Sequence, residues 1–289
     1  MRRLSTRLAV AASVVLAALL AWVWLGLPAR SEVRALATTN PARTRLMEQR
    51  AEEARAKGRT ARVAHSWVPL ARVSRHLIHA VLASEDQGFF GHEGVDWKAI
   101  EESIERNVEK RRFARGGSTI TQQLAKNLYF GTRKSLVRKV RELVATRWLE
   151  GDLSKARILA LYLNLIEWGD GVYGCDAAAR HWYSKPASDL SATEAAGLAA
   201  MIPNPRRLNP RVNAARHERA TRRVLWLMGQ AGYIGRDVAG LGAEPPPETV
   251  AEDEEPPADT PPEPPSTPAV RPPDGAPAEA STPPPPAGS

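Results

Sequence analysis

The sequence predicts a mainly α-helical protein that has one N-terminal membrane helix and a disordered C-terminal tail. Between residues 66 and 235, apolar side chains recur with helical spacing, and no convincing run alternates with the period of two that marks a strand. An uncharged run precedes this region, and an acidic, proline-rich segment follows it. These observations divide the chain into a basic N-terminus (1–7), a membrane helix (8–29), a connector (30–65), a helical domain (66–235) and a tail (244–289).

The uncharged run extends from Leu8 to Ala29 and reads LAVAASVVLAALLAWVWLGLPA. Its 22 residues exceed the roughly 20 that a helix needs to cross a hydrocarbon core about 30 Å thick. Because three arginines precede it, the positive-inside rule predicts a single pass through the cytoplasmic (inner) membrane, with the N-terminus in the cytoplasm and the remainder on the periplasmic side. The alternative is a cleaved signal peptide, since ALA at 35–37 resembles a cleavage site.

The tail differs in composition from the rest of the chain. From Pro245 onward it holds 17 of the 24 prolines, and from Glu244 onward it holds ten acidic residues against one base. Such a segment has too few large apolar side chains to offset the entropy of ordering, so we expect it to be disordered. We also expect that it cannot house a second catalytic module.

Charge predicts the class of partner. The tail carries a net charge of −9 and the whole chain carries +8, so the remainder carries +17. A basic domain attracts anions, and its predicted place beyond the membrane excludes nucleic acid. Lipid headgroups and lipid-linked phosphates remain. The single cysteine, Cys175, excludes an intramolecular disulfide and a thiolate metal cluster.

Boundary signals support the helices within 66–235. Ser191 and Glu194 have capping-box spacing, Pro203 is expected to close their helix, and Ser154 is placed to begin another. A third helix is expected to end at Gly151.

The first candidate motif is SEDQGFFGHEGVD at 84–96, which combines four carboxylates with one histidine. It suits a metal site, an acid/base pair or a solvated loop. Metal is the weaker option, because the motif lacks the alternating oxygen ligands of a calcium loop and has too few histidines for zinc. A catalytic carboxylate needs neighbours that hold its pKa near the working pH, and Phe89 and Phe90 are placed to shield one from water.

The second motif is RGGSTITQQLAKNLYF at 115–130. Its glycines permit a tight turn, and Ser118 is expected to cap the following helix. Ser118, Gln122 and Lys126 then recur every four residues on one face, which suits a sugar phosphate. The alternative is an ordinary solvated face.

The third motif is RKSLVRKVRE at 133–142, where five cations accompany one acid, Glu142. Arg138 and Glu142 are expected to form a surface pair worth about 0.3–0.5 kcal/mol. The remaining cations exceed what one glutamate requires and suit a pyrophosphate.

An apolar stripe begins after the first motif, with Trp97, Ile100, Ile104 and Val108, and basic residues follow it. This pattern suits a helix on a lipid surface, and it equally suits an amphipathic helix that faces the core.

With these motifs in order, residues 66–235 resemble the monofunctional biosynthetic peptidoglycan glycosyltransferases of glycosyltransferase family 51. These enzymes are relatives of the glycosyltransferase module of bifunctional penicillin-binding proteins. The resemblance rests on five ordered stretches: EDQGFFGHEG at 85, GGSTITQQLAKN at 116, RKVRE at 138, KARILALYLNLIEWGDGVYGCDAAARHWY at 155 and LSATEAAGLAAMIPNP at 190.

The resemblance implies a lysozyme-like fold of two lobes, a head and a membrane-facing jaw. It also implies polymerisation of lipid II through β-1,4 bonds, with inversion and release of undecaprenyl pyrophosphate. No cofactor is required, although a divalent cation, magnesium or manganese, at the pyrophosphate is compatible with the family. Cross-linking is expected to need a separate transpeptidase.

The resemblance also assigns residue roles. Glu85 matches the family's catalytic base, and Glu142 matches a second carboxylate near the donor. The expected substrate-binding residues are Ser118, Gln122, Gln123, Lys126, Lys134, Arg138 and Lys139, and the expected site-shaping residues are Asp86, Phe89 and His92. Lys134 stands where the family often has an arginine. Lysine keeps the positive charge, but it cannot form the two parallel hydrogen bonds of a guanidinium.

Two other classes remain open. A lysozyme-like lytic enzyme also uses a glutamate in an α-helical cleft, although a hydrolase of neutral glycan has no pyrophosphate for the cations to hold. A non-catalytic scaffold would recruit partners through the tail and would not need Glu85.

Overall fold

The structure, a computed structural model, describes residues 2–98, 100–101, 117–133 and 135–240, with the backbone alone for residues 2–9 and 11. Lys134, Gly116, the end of the apolar stripe (Ile104 and Val108) and the predicted tail lie outside the described residues.

The predicted mainly helical architecture is confirmed. The α-helices are α1 (Arg2–Leu25), α2 (Arg30–Ala35), α3 (Arg45–Ala56), α4 (Arg75–Glu85), α5 (Ile120–Ala125), α6 (Leu136–Asp152), α7 (Lys155–Leu165), α8 (Cys175–Tyr183), α9 (Ala192–Met201) and α10 (Ala214–Gln230), with 3₁₀ turns at Leu70–Arg72 and Ala187–Asp189.

One N-terminal segment, Ala12–Ala35, is long and apolar enough to cross a membrane, with a mean hydropathy of 2.0. Helix α1 ends at Leu25, four residues before the predicted end of the span. Pro28 explains the break, because its ring restricts the preceding residue and it cannot donate a helical hydrogen bond. The helix resumes as α2 at Arg30.

Residues 30–65, which the sequence analysis assigned to a connector, pack into the domain. Val33 and Leu36 belong to the hydrophobic core. The side chain of Gln49 in α3 accepts from the backbone N–H of Thr132 at 2.8 Å and donates to its hydroxyl at 2.7 Å. This segment therefore supports the loop that follows the second motif.

A small sheet accompanies the helices, and the sequence analysis did not predict it. It consists of β1 (Ala64–His65), β2 (Glu167–Gly169) and β3 (Val172–Tyr173). The strand order is β1-β3-β2, with β1 parallel and β2 antiparallel to β3. Strands of two or three residues are too short to display an alternating pattern.

The helices pack in two groups around a shared core. Helices α4, α9 and α10 contact one another, and α5 contacts α6 and α7. Fully buried side chains such as Leu77, Leu124 and Tyr162 belong to the same core cluster.

The predicted helix starts are largely correct. Ser154 caps α7, and Ser191 forms a capping box with Glu194 at α9. The prediction for the second motif is wrong by one residue, because Thr119 rather than Ser118 accepts the backbone N–H of Gln122. Gly151 lies within α6 instead of ending it.

A π-helix over Lys126–Phe130 follows α5 directly and ends at Gly131, whose φ is +69°. This left-handed conformation favours glycine. A side chain at position 131 would also collide with the Gln49 amide.

We therefore expect Gly131→Ala to lower the free energy of unfolding by roughly 2–3 kcal/mol, because backbone strain adds to that collision. The matched control is Gly58→Ala, which has a φ of +67° and no neighbour within 4 Å. This control should cost only about 1 kcal/mol. Urea unfolding of both variants measures the difference, and equal losses would contradict a role for the Gln49 contact.

Candidate active site

Glu85 is the last residue of α4, and a chain of hydrogen bonds holds its carboxylate. Gln123 in α5 donates from Nε2 to Glu85 Oε2 at 2.7 Å. The Oε1 of Gln123 in turn accepts from the hydroxyl of Tyr162 at 3.0 Å. The buried tyrosine therefore fixes the orientation of the amide that positions the carboxylate. Sequence reasoning missed Tyr162, because it lies in an apolar helical run typical of core.

The environment of Glu85 suits proton transfer. Burial raises the pKa of this carboxyl, and the hydrogen bond from Gln123 and the charge of Lys126 partly oppose that rise. A carboxyl whose pKa is brought toward the working pH is an efficient general base or acid.

Asp86 and His92 connect the loop of the first motif to α5. His92 Nε2 lies 2.9 Å from Asp86 Oδ1, and Asp86 Oδ2 accepts from the backbone N–H of Ile120 at 3.0 Å. The backbone N–H of Gly94 donates to His92 Nδ1 at 3.0 Å, so Nε2 is the protonated nitrogen that donates to Asp86. Both side chains thus fix the start of the helix that presents Gln122 and Gln123.

The two phenylalanines that the sequence analysis expected to shield Glu85 lie in different environments. Phe89 is fully buried in the hydrophobic core, where its ring lies 4.6 Å from the Lys155 ammonium. Phe90 is 64% exposed. Phe89 therefore anchors the loop in the core, and Phe90 faces solvent with its ring centroid 5.0 Å from that of Phe89.

The first motif also places three possible metal ligands together. Ligand atoms of Asp86, His92 and Asp96 lie within 4.8 Å of one another. However, both ring nitrogens of His92 already take part in hydrogen bonds, and Asp86 accepts from His92 and from Ile120. Asp86 and His92 therefore form a structural network that ties the loop to α5.

Side chains of the second and third motifs meet where α5 faces α6. Lys139 Nζ lies 3.4 Å from both the Ser118 hydroxyl and the Gln122 Oε1. It also lies 3.6 Å from Glu142 Oε2, and Arg138 donates to the other oxygen of Glu142.

The Arg138–Glu142 pair is not the solvated surface pair that the spacing predicted. Glu142 is 2% exposed, because α5 covers this face of α6. Burial lowers the pKa of Arg138, and its Nε is buried without a hydrogen-bond partner among the described residues. One donor of the guanidinium thus has no partner among the described residues.

Lys126 is the first residue of the π-helix, and its side chain is half-buried. It interacts electrostatically with Glu85 on one side and with Arg138 on the other. Burial and the charge of Arg138 lower the pKa of its ammonium, and the charge of Glu85 opposes them. Burial, Arg138 and Lys126 likewise lower the pKa of Lys139. Because Arg138 lowers the pKa of both lysines and Lys126 lowers that of Lys139, the three cations form a site that an anion would stabilise.

Other cations of the third motif have different roles. Arg141 donates to the backbone carbonyls of Trp22 and Val23, and its guanidinium lies 5.5 Å from the Trp22 ring centroid. It therefore anchors α1 instead of contributing to the anion site. Arg133 is exposed, and Lys134 lies outside the part of the chain that the structure describes.

A polar cavity of about 130 Å³ adjoins the site. Gln123 and Lys126 line it together with three charged residues that the sequence analysis did not single out, namely Arg50, Glu167 and Arg206. The only signal in the sequence was a lone acid within the apolar stretch NLIEWG.

A family model and individual relatives of this chain both indicate the same family. The sequence model of the transglycosylase family matches residues 51–230. The biosynthetic peptidoglycan transglycosylase of Herminiimonas arsenicoxydans is 47% identical over 192 residues, which cover 66% of this chain and 83% of that protein. The protein of the same name from Azoarcus sp. (strain BH72) is 46% identical over 215 residues, covering 73% and 91%. The chain belongs to the transglycosylase family.

Proposed function

We propose that the chain polymerises peptidoglycan glycan strands from lipid II. Its relatives carry the name biosynthetic peptidoglycan transglycosylase. The observation that carries the proposal is the pairing of a half-buried, hydrogen-bonded glutamate, Glu85, with the cations Lys126, Arg138 and Lys139. A base and an anion site side by side suit the transfer of a sugar away from a pyrophosphate.

In the proposed reaction, Glu85 takes the proton of the acceptor sugar's 4-hydroxyl as that oxygen attacks the anomeric carbon of the donor. A β-1,4 bond forms while the bond from the anomeric carbon to the pyrophosphate oxygen breaks. The electron pair leaves with undecaprenyl pyrophosphate, and the single displacement inverts the anomeric carbon.

The cations stabilise the charge that develops on the leaving group. Lys126 and the guanidinium of Arg138 are the groups that we expect to contact the pyrophosphate. Glu142 assists by holding Arg138 and Lys139 in place, and Ser118 and Gln122 position Lys139. Lys134 is proposed as a further donor contact on the strength of the family resemblance alone.

The donor region does not fit a resident divalent ion. Its described carboxylate, Glu142, is already paired with Arg138 and Lys139.

The apolar N-terminal segment suits a membrane-anchored enzyme whose substrate carries a lipid. We propose that it stays as a single-pass anchor in the inner membrane with the catalytic domain outside, because Arg141 and Trp148 bind its end. A separate transpeptidase is the proposed partner for cross-linking.

Labelled lipid II separates this function from the lytic and scaffold alternatives. The purified full-length protein should convert lipid II in detergent or vesicles to strands that lengthen with time. A lytic enzyme would instead shorten preformed glycan, and a scaffold would do neither. Either result would overturn the proposal.

The pH profile of polymerisation is expected to report on Glu85. The base acts in its deprotonated form and burial raises its pKa, so the acidic limb should lie above the ordinary range of a glutamate. The hydrogen bond from Gln123 lowers this pKa, so Gln123→Ala should move the limb to higher pH. The control is Gln122→Ala, whose side chain contacts Lys139 instead. If the acidic limb of the pH profile lies at the same pH in Gln123→Ala as in the wild type, Glu85 is not the base.

A further inference from the structure

The proposed glycosyl transfer assigns no role to the polar cavity beside the active site. It is lined by Gln123, Arg50, Glu167 and Arg206, among others. Gln123 also donates to Glu85, so one side chain separates the cavity from the catalytic base. A group that enters the cavity beside Gln123 would therefore lie close to the hydroxyl that faces Glu85.

Glu167 has an unusual environment for a carboxylate. Its side chain is 4% exposed, and its Oε2 accepts from Arg50 Nε at 3.0 Å. Its Oε1 is buried without a hydrogen-bond partner among the residues that the structure describes. Leaving a buried charged acceptor unpaired is costly, so such a group in a native fold usually meets a water or a ligand.

The neighbouring arginines indicate which kind of ligand fits. Arg50 also binds Glu53 at 2.8 Å. Arg206 binds Asp170 at 2.9 Å and Glu53 at 3.4 Å. Because carboxylates already compensate both guanidiniums, this side of the cavity is not built for a second anion. A neutral group that donates a hydrogen bond, such as a sugar hydroxyl, is the better match to Glu167 Oε1.

We propose that Glu167 is a specificity-determining residue that accepts a hydrogen bond from a hydroxyl of the acceptor sugar. This inference rests on the proposed function, in which Glu85 receives the 4-hydroxyl of that sugar. The hydroxyls on carbons 3 and 6 are the nearest to the 4-hydroxyl in a pyranose, so one of them reaches Glu167. A site that pairs a buried acceptor with a substrate hydroxyl rejects the analogue that lacks it.

The test combines Glu167→Gln with lipid II analogues that carry a 3-deoxy or a 6-deoxy terminal sugar. Because Arg50 donates to Oε2, the glutamine carbonyl should take that position and its NH₂ group should replace Oε1. The substitution thus turns the acceptor into a donor. We expect the KM for lipid II to rise at least about tenfold, with kcat changed less than about threefold, because uniform binding is lost.

The analogues supply a readout that does not depend on the variant. The wild-type protein should lose at least about tenfold in kcat/KM toward one deoxy analogue and much less toward the other. Glu167→Gln should lose little further toward that same analogue, since the contact is already gone. The matched control is Glu53→Gln, which removes a carboxylate from the same two arginines without lining the cavity. It should keep the wild-type preference between the analogues.

Two outcomes would overturn the inference. Equal turnover of both analogues and lipid II by the wild type would show that a water alone occupies the cavity. If the deoxy analogue and Glu167→Gln each lower kcat/KM and their fold-losses multiply when combined, the sugar hydroxyl and the Glu167 carboxylate do not contact each other. Both outcomes require the wild type to polymerise lipid II, so they are distinct from a failure of the proposed function, in which lipid II itself is not polymerised.

Discussion

Replacing Glu85 with glutamine is expected to reduce glycan-strand synthesis at least about 100-fold, and as much as about 10⁴-fold, because a general base contributes this range. Glutamine has nearly the same shape and can still meet Gln123, so the side chain should stay in place. It cannot accept the proton of the 4-hydroxyl. The loss should therefore appear in kcat, while lipid II still binds.

The measurement is the conversion of labelled lipid II to polymer, with binding of lipid II followed separately. The matched control is Glu93→Gln in the loop that follows α4, whose side chain is 77% exposed and pairs with Arg147 on the surface. This control should keep its activity within about twofold, as expected for a surface pair of little energetic weight. Circular dichroism should show the same helical content for both variants. A folded Glu85→Gln variant with wild-type kcat would rule out the proposed base.

Local signals in the sequence were sufficient where a structural role depends on neighbours along the chain. Ser154 and Ser191 cap the helices that they were expected to begin, because a cap is formed within one turn. The register of α5 shows the limit of this reasoning. Ser118 and Thr119 are adjacent hydroxyls that both suit a cap, and contacts with the first motif select the second. Thr119 donates to the Gly94 carbonyl at 2.7 Å, and Asp86 accepts from the backbone N–H of Ile120.

This one-residue shift has a functional consequence. Since Thr119 serves as the cap, the hydroxyl of Ser118 lies beside Lys139 instead of closing the helix. Ser118 thus contacts another of the expected substrate-binding residues, although the local role predicted for it is wrong.

Features that depend on contacts between distant segments were not predicted. Tyr162 reads as a core residue because its neighbours along the chain are apolar, and its bond to Gln123 joins positions 39 residues apart. The pair between Arg50 and Glu167 joins positions 117 residues apart, from a segment that composition assigned to a connector. In the sequence, Arg141 is one of the five cations of the third motif. Its hydrogen bond to the Val23 carbonyl of α1 joins positions 118 residues apart, so the sequence did not predict it.

Replacing Lys126 with alanine is expected to lower polymerisation about 10²- to 10³-fold, the usual effect of removing one group that stabilises charge in a transition state. Lys126 interacts electrostatically with both Glu85 and Arg138, so it links the base to the anion site. Without its charge the pKa of Glu85 should rise further, because the ammonium favours the carboxylate. The variant should therefore polymerise more slowly at every pH, and the acidic limb of its pH profile should move to higher pH.

Lys126→Arg distinguishes the charge from the shape of the side chain. Burial and Arg138 lower the pKa of the lysine, so the wild-type alkaline limb should lie below the ordinary range of an ammonium. A guanidinium stays protonated there, so the arginine variant should keep part of the activity and move the alkaline limb to higher pH. The control is Lys57→Ala, an exposed lysine at the end of α3, which should match the wild type. If Lys126→Ala polymerises lipid II at the wild-type rate, this ammonium does not stabilise the departing pyrophosphate.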